Sequence, residues 1–433
     1  MAAAGAAVGL GNIWGFPTQV ASNGGAAFVL AYLALAFFLA YPALMAELIV
    51  GRSARANAVK ALPSLTDSPI LKLGGKAVGI AGLITVAVIL SFYAIVAGWM
   101  FAYALAPMLD LIGLSQYSQW FKDFSVVRNV MFTTLFMIAT ILIICGGVNA
   151  GIERWSKRLM PALVLILLLL IGYMLTLPGA EEGLKAYLVP DFSKLLDPSL
   201  LVSALGQAFF SLSLGVGCML IYGSYMSSSE NIVRVGAWVT LIDVGLAFIA
   251  GLLIIPAMYV AQHYGVEIFD QSGQLLNGDT LIFSVLPSLF DQMGQVGIII
   301  SLAFFLLMSL AALTSSISLL EVPVSYVVES HKMKRPTASW IIGMLITGLS
   351  LIIIFNFELL FGLVIAITTR YSQPILGLFF CIYAGLVWHR DKALTEIKKG
   401  DQHAEYSIFW RIWPWYVRFV CPVFIVAMFV HAL

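Results

Sequence analysis

The stretch Gly5-Ala-Ala-Val-Gly9-Leu-Gly11-Asn12-Ile-Trp14-Gly15-Phe-Pro17 does most to limit what this chain can fold into. It lies in an apolar run that otherwise reads as helix, yet glycines, an asparagine and a proline interrupt it. A bilayer holds no water to satisfy an opened backbone. Unwinding is tolerated there only where the freed amides and carbonyls are buried in protein or bind something. Glycine lowers the cost of leaving the helix, and Asn12 adds a hard oxygen ligand. The stretch therefore reads as a binding site built from backbone.

Composition supplies the membrane that this reading needs. The 433 residues are 61% hydrophobic and 10% charged, with a mean hydropathy of +0.98. A soluble domain carries about a quarter charged residues. A net charge of +1 implies no nucleic-acid partner. Cys145, Cys218, Cys381 and Cys421 lie in or beside apolar runs without Cys-x-x-Cys spacing, and the five histidines are scattered, so neither a disulfide framework nor a zinc cluster is expected. The first run lacks a basic leader and is rich in glycine, which argues against a signal peptide.

Apolar stretches of about 20 residues fall at 2–20, 26–50, 78–111, 130–145, 159–177, 201–225, 233–261, 296–328, 340–355, 361–388 and 408–430. They predict an all-α membrane protein with eleven spans. Arg52, Arg55, Lys60, Lys72 and Lys76 follow the second stretch. Arg154, Lys157 and Arg158 precede the fifth, Lys332, Lys334 and Arg335 follow the eighth, and Arg390, Lys392, Lys398 and Lys399 follow the tenth. All fall on one side, which the positive-inside rule assigns to the cytoplasm. The loop after the seventh stretch carries Glu267, Asp270, Asp279 and Asp291 with no Lys or Arg, and is expected outside.

The sixth stretch is also interrupted, at Phe209-Phe210-Ser211-Leu-Ser213-Leu-Gly215-Val216-Gly217-Cys218. Stretches one and six correspond if the chain is five helices plus five with an eleventh added. An odd number per half makes the halves run in opposite directions. Paired glycine-interrupted segments mark a midplane substrate site in inverted-repeat transporters. Glycine alone would favour close helix packing over a binding site, but Asn12, Ser211 and Ser213 inside the same segments reverse the balance, because unpaired polar groups there are costly. The eighth stretch adds Thr314, Ser315, Ser316 and Ser318. Hydroxyls often bond back to their own helix, yet three in succession exceed that need and suit a hard monovalent cation. Asp243 stands deep in the seventh stretch with no base near it in sequence, and a cation would keep it ionised.

Gly9-Leu-Gly-Asn12-Ile-Trp14-x-Phe16-Pro17, Asn23-Gly24-Gly25-Ala-Ala-Phe28 and Pro42-x4-Glu47-x3-Gly51-Arg52 strongly resemble the neurotransmitter:sodium symporter family. Gly206-Gln207-Ala-Phe-Phe210-Ser211-Leu-Ser213-Leu-Gly215 and Leu313-Thr314-Ser315-Ser316 resemble its sixth and eighth helices. The resemblance covers essentially the whole chain and is strongest to bacterial transporters of hydrophobic amino acids. It implies a LeuT-type fold: residues 1–178 as a first inverted repeat with its first helix incomplete at the N-terminus, 199–388 as the second repeat, and 389–433 as a cytoplasmic loop and an eleventh helix. It also implies a multi-pass protein of the bacterial inner membrane, a monomer or weak dimer, coupled to two sodium ions and not an enzyme.

By position, the resemblance implies one sodium held by the Ala7 carbonyl, Asn12, Ser211, Asp243 and the substrate carboxylate. The other would be held by carbonyls of Gly5, Val8 and Ala311 and hydroxyls of Thr314 and Ser315. An ion and a substrate that complete each other's site raise each other's affinity by the same factor. The substrate carboxylate would take the amides of Leu10 and Gly11 and the Tyr93 hydroxyl. Its ammonium would face carbonyls of Ala7, Phe210 and Ser213. The side-chain pocket would be lined by Ile89, Phe210, Val216, Ser316 and Leu319. With no charge in that lining, neutral apolar L-amino acids, aliphatic and aromatic, are expected. The family's chloride positions correspond to Tyr32, Gln207, Ser211, Asp243 and Ala247. A carboxylate already at Asp243 predicts transport without chloride.

The chain departs from the family in three places. The family has further residues before Gly5, with half a helix and a gating arginine that would pair with Glu329. Its outer-gate arginine is replaced by Gly15, and the matching acidic position is Ile365. The tenth stretch instead carries Arg370, which reads equally well as snorkelling or paired inside the bundle and as gating. Tyr93 and Phe210 are expected to form an aromatic lid. Gly151 and Pro161 have the spacing linked in bacterial relatives with opening of the fifth helix, though Pro161 in a first helical turn reads equally well. Polar islands at one depth argue against a channel, and no catalytic pair or metal cluster points to an enzyme. A sodium-dependent sensor, or a carrier of another small neutral amine, is the alternative.

Overall fold

The structure is a computed structural model that describes residues 9–269, 275 and 281–432. Among the described residues, nine helices are long and apolar enough to span a membrane. They are α2 (Ala26–Ala54), α3 (Pro69–Leu111), α4 (Val126–Cys145), α5 (Arg154–Met174), α7 (Ile232–His263), α8 (Gly294–His331), α9 (Arg335–Phe355), α10 (Phe357–Val387) and α11 (Ile408–Val430). The first helix, α1, is described from Gly11–Gly15 in wide π turns and Phe16–Ser22 in α turns. The sixth, α6, is split into Pro198–Ser211 and Cys218–Tyr225. The nine spans fall on nine of the stretches expected, with shifted ends.

The largest shift is in α3, which starts at Pro69 instead of 78. Its 43 residues run about 65 Å at 1.5 Å per residue, twice the hydrocarbon core of about 30 Å. Lys72 and Lys76 favour helix as strongly as apolar residues do, so a hydropathy window ends where the helix does not. Short helices missed by the same window join the spans, at Ser115–Lys122, Ala180–Leu188, Leu286–Gln292 and Arg390–Lys398.

Helix ends follow their capping residues. Gly24 and Gly25 take positive φ of 87° and 65° in the turn between α1 and α2. A side chain on Gly25 would meet the Ala186 carbonyl at 2.8 Å. Asp197 accepts the Ser199 amide at 2.9 Å and Pro198 opens the helix, a start that satisfies an orphan donor where none is lost to proline. Asn231 caps α7 through the Arg234 amide at 3.0 Å.

The outer surface is apolar: Leu345 and Val423 are each 63% exposed and Phe355 66%. Contiguous exposed apolar area of this kind suits lipid, and the chain is an integral membrane protein. Long α3 and α8 pack along each other, and the second half of α6 packs on α2. A side chain on Gly51 of α2 would collide with the Leu220 carbonyl of α6, so the close approach of these helices depends on glycine.

Two sequence readings need correction here. Arg52, counted as a loop charge, is buried. It pairs with Glu396 at 2.8 Å and donates to the Glu230 carbonyl at 2.7 Å. Arg390–Lys398 folds back over the end of α2 and supplies that partner, a tertiary contact invisible in charge counting. Pro161 is the eighth residue of Arg154–Met174, not in its first turn. Gly151 lies just before, in the π-helical stretch Val148–Glu153.

Candidate functional site

The break in α6 positions the site. Between Ser211 and Cys218 the chain leaves the helix through positive φ at Ser213 (52°), Gly215 (79°) and Gly217 (79°). An opened backbone in a membrane needs partners for its polar groups, and side chains from other helices supply them. Glu47 of α2 accepts the Gly215 amide at 2.7 Å. Gln373 of α10 donates to the Leu214 carbonyl at 3.2 Å. A side chain on Gly215 would run into the Gln373 carbonyl. Glu47 was part of the sequence motif without a role, and Gln373 was missed. An intramembrane carboxylate such as Glu47 is itself the signal that could have found the first.

Three helices meet at one oxygen-rich cluster. Asn12 Nδ2 donates to Asp243 Oδ1 at 2.7 Å, to the Asp243 carbonyl at 2.9 Å and to Ser211 Oγ at 3.1 Å. Ser211 Oγ donates to Asp243 Oδ1 at 2.9 Å. Asn12 Oδ1 accepts the Gly9 amide at 2.8 Å. All three side chains are buried, and Asp243 is fully so. A side chain on Gly11 would meet the Ser211 Cα at 3.0 Å, so glycine lets α1 reach the break. No basic group lies within ion-pair distance of Asp243 among the described residues. Gln207, expected at a chloride position, instead donates to the Gly11 carbonyl at 2.7 Å. Tyr32 and Ala247 are fully buried.

A small cavity of ≈ 10 Å³ borders this cluster. Of the expected pocket residues, Ile89, Tyr93, Phe210, Ser213 and Leu319 line it, with Gly11, Ser211, Ser315 and Gln373. The Tyr93 hydroxyl accepts the Leu10 amide at 3.2 Å, joining two of the groups expected to hold a carboxylate. The Phe210 carbonyl accepts the Ser213 amide at 3.1 Å. Two expected residues fall elsewhere. Ser316 points away from the cavity, 2.9 Å from Thr140 of α4, because residues 315 and 316 sit about 100° apart on a helix. Val216 is buried in the break outside the cavity lining.

On α8, Thr314 Oγ1 donates to the Ala311 carbonyl at 2.8 Å, so two expected oxygen ligands are adjacent. Gly5, Ala7 and Val8, the other expected ligands, lie outside the described residues. Glu329 accepts the backbone and side-chain amides of Asn57 at 2.9 and 2.6 Å, while Lys60 donates to its carbonyl at 3.0 Å.

A larger cavity of ≈ 370 Å³ lies between α1, α3, α6 and α10. Phe210 lines both. Tyr93 lines only the small one. Gly15, Gln207, Ile365 and Arg370 also line the large cavity. Arg370 lines this space, and no carboxylate lies within ion-pair distance of it among the described residues.

Comparison with known proteins agrees with this architecture. The chain matches the profile of the Sodium:neurotransmitter symporter family over residues 1–123 and 111–433. It is 34% identical to the uncharacterized sodium-dependent transporter YhdH of Bacillus subtilis, covering 100% of this chain and 95% of that protein. It is 31% identical to an uncharacterized sodium-dependent transporter of Haemophilus influenzae, covering 100% and 96%. Among solved structures, that of MhsT in complex with L-phenylalanine superposes with a TM-score of 0.86 at 36% identity, covering 100% of this chain and 97% of MhsT. These relatives are transporters, not enzymes. With its LeuT-type arrangement of membrane helices, the chain belongs to the sodium:neurotransmitter symporter family.

Proposed function

We propose that this protein is a sodium-coupled symporter that imports neutral hydrophobic L-amino acids, aliphatic and aromatic, across the bacterial plasma membrane without chloride. The convergence of Asn12, Ser211 and the buried Asp243 carboxylate carries the reading. A buried carboxylate is costly unless a cation offsets it, and a cluster of hard oxygens with no basic side chain suits sodium. Rotation of the Asn12 amide would turn Oδ1 toward the same oxygens. Together with the Ala7 carbonyl these groups would hold one ion. Ala311, Thr314 and Ser315, with Gly5 and Val8, would hold the other.

Sodium supplies positive charge beside the substrate carboxylate, and the protein does the rest. Leu10, Gly11 and Tyr93 present donors to the carboxylate, and the carbonyls of Phe210 and Ser213 face the ammonium. Ile89 and Leu319 enclose an apolar side chain. Coupling follows because the cation and the carboxylate share one site. The phenylalanine bound to MhsT supports an amino-acid substrate. The halves 1–178 and 199–388 would act as inverted repeats, with Phe210, Tyr93 and Arg370 on the outer gate and Glu329 on the inner one. Competition in reconstituted vesicles tests the substrate class. Leucine and tryptophan should block uptake of each other and glutamate should not, with gluconate in place of chloride making no difference. Potent block by glutamate alone, or loss of uptake in gluconate, would overturn the reading.

A further inference from the structure

We infer that Arg370 sets the charge selectivity of the outer cavity, favouring solutes that carry a carboxylate and holding back cationic amines. Arg370 is the one charged group in the described lining of the ≈ 370 Å³ space. It is exposed, and no carboxylate among the described residues lies within ion-pair distance of it. Its neighbours on α10 do not offset it. Thr368 and Thr369 turn their hydroxyls back to the Val364 and Ile365 carbonyls, at 2.7 and 2.8 Å. Across the cavity the family's arginine position is Gly15, where an added side chain would lie 3.1 Å from Gln207 Oε1.

The placement along α10 brings that charge close to the site. Arg370 lies three residues before Gln373, which lines the small cavity, so the two backbones are about 4.5 Å apart along the axis. Residues 366–372 form a π-helical stretch, a distortion common at functional sites that changes which side chains face the cavity. A cation with no compensating charge among the described lining residues, in a cleft with low-dielectric walls, gives that cleft a positive potential. An approaching amino acid meets it carboxylate first, whereas lysine side chains and decarboxylated amines are repelled. The cavity thus selects by charge before the apolar pocket selects by shape.

What the potential admits for transport rests on the symport reading above, but the potential itself does not, and two measurements separate them. The first uses the full chain carrying Ser203→Cys, a position in the cavity lining. Modification rates are compared for an anionic thiosulfonate (MTSES) and a cationic one (MTSET), with the chain lacking Ser203→Cys correcting for the native cysteines. The MTSES-to-MTSET rate ratio should fall about fivefold in Arg370→Gln, as expected for removing one charge in a wet cleft. It should fall further in Arg370→Glu and persist in Arg370→Lys. The second compares inhibition of leucine uptake by lysine and tryptamine, which should strengthen several-fold in Arg370→Gln. A rate ratio unchanged by both Gln and Glu overturns the charge filter. An altered ratio in a protein that takes up no amino acid with sodium overturns the symport reading instead.

Discussion

Asn12 and Asp243, 231 residues apart, are joined by a 2.7 Å hydrogen bond at the meeting point of α1, α6 and α7. The carboxylate has no basic partner there among the described residues. Asp243→Asn keeps the shape and removes the charge. Its half-saturating sodium concentration should rise at least about tenfold, a loss near 1.4 kcal/mol. Substrate affinity should fall with it, by linkage. Sodium titration of uptake or of substrate binding reads both. An unchanged sodium dependence would remove Asp243 from the ion site.

Tyr93 accepts the Leu10 amide and borders the small cavity. Tyr93→Phe leaves the ring as packing but removes the hydroxyl. Hydrogen bonds to a charged group are worth about 1.5–3 kcal/mol, so the KM for leucine should rise about tenfold or more. The maximal rate should change little. A lowered rate at unchanged KM would place the hydroxyl in a conformational step instead.

Glu47 satisfies the Gly215 amide in the α6 break. Glu47→Ala orphans a buried donor and should destabilise the protein by about 1–3 kcal/mol. Glu47→Gln keeps an acceptor and should retain most of the stability. Thermal unfolding in detergent checks this, and equal melting of all three proteins would show that the break does not depend on residue 47.

Glycines can be compared in pairs. Gly215 has a φ of 79° and faces the Gln373 carbonyl. Gly215→Ala should cost at least about 1–2 kcal/mol from the left-handed backbone alone. Gly245, inside α7, has nothing within 4 Å of an added side chain. Gly245→Ala should be neutral or stabilising by up to about 1 kcal/mol. Parallel melting curves distinguish the two, and similar losses at both positions would mean that the break tolerates a side chain.

The sequence exposed the parts of this architecture that are costly. The long apolar helices, the interruption of the sixth stretch and the residues Asn12, Ser211 and Asp243 that meet beside it were legible, because polar groups and glycines inside a membrane demand a reason. Orientation was less legible. Ser315 and Ser316 look alike in sequence, yet a 100° step sends one to the cavity and the other to Thr140. The burial of Arg52 depends on Glu396, 344 residues away. Arg370 lies in a π-helical stretch at 366–372, and no hydropathy pattern reports it.

Uptake of radiolabelled L-leucine and L-phenylalanine into liposomes containing the purified protein tests the central claim most directly. An inward sodium gradient should drive both amino acids above their equilibrium level, and collapse of that gradient, or its replacement by potassium, should abolish the accumulation. Equal uptake in sodium and potassium, or equilibration without accumulation, would contradict sodium-coupled symport.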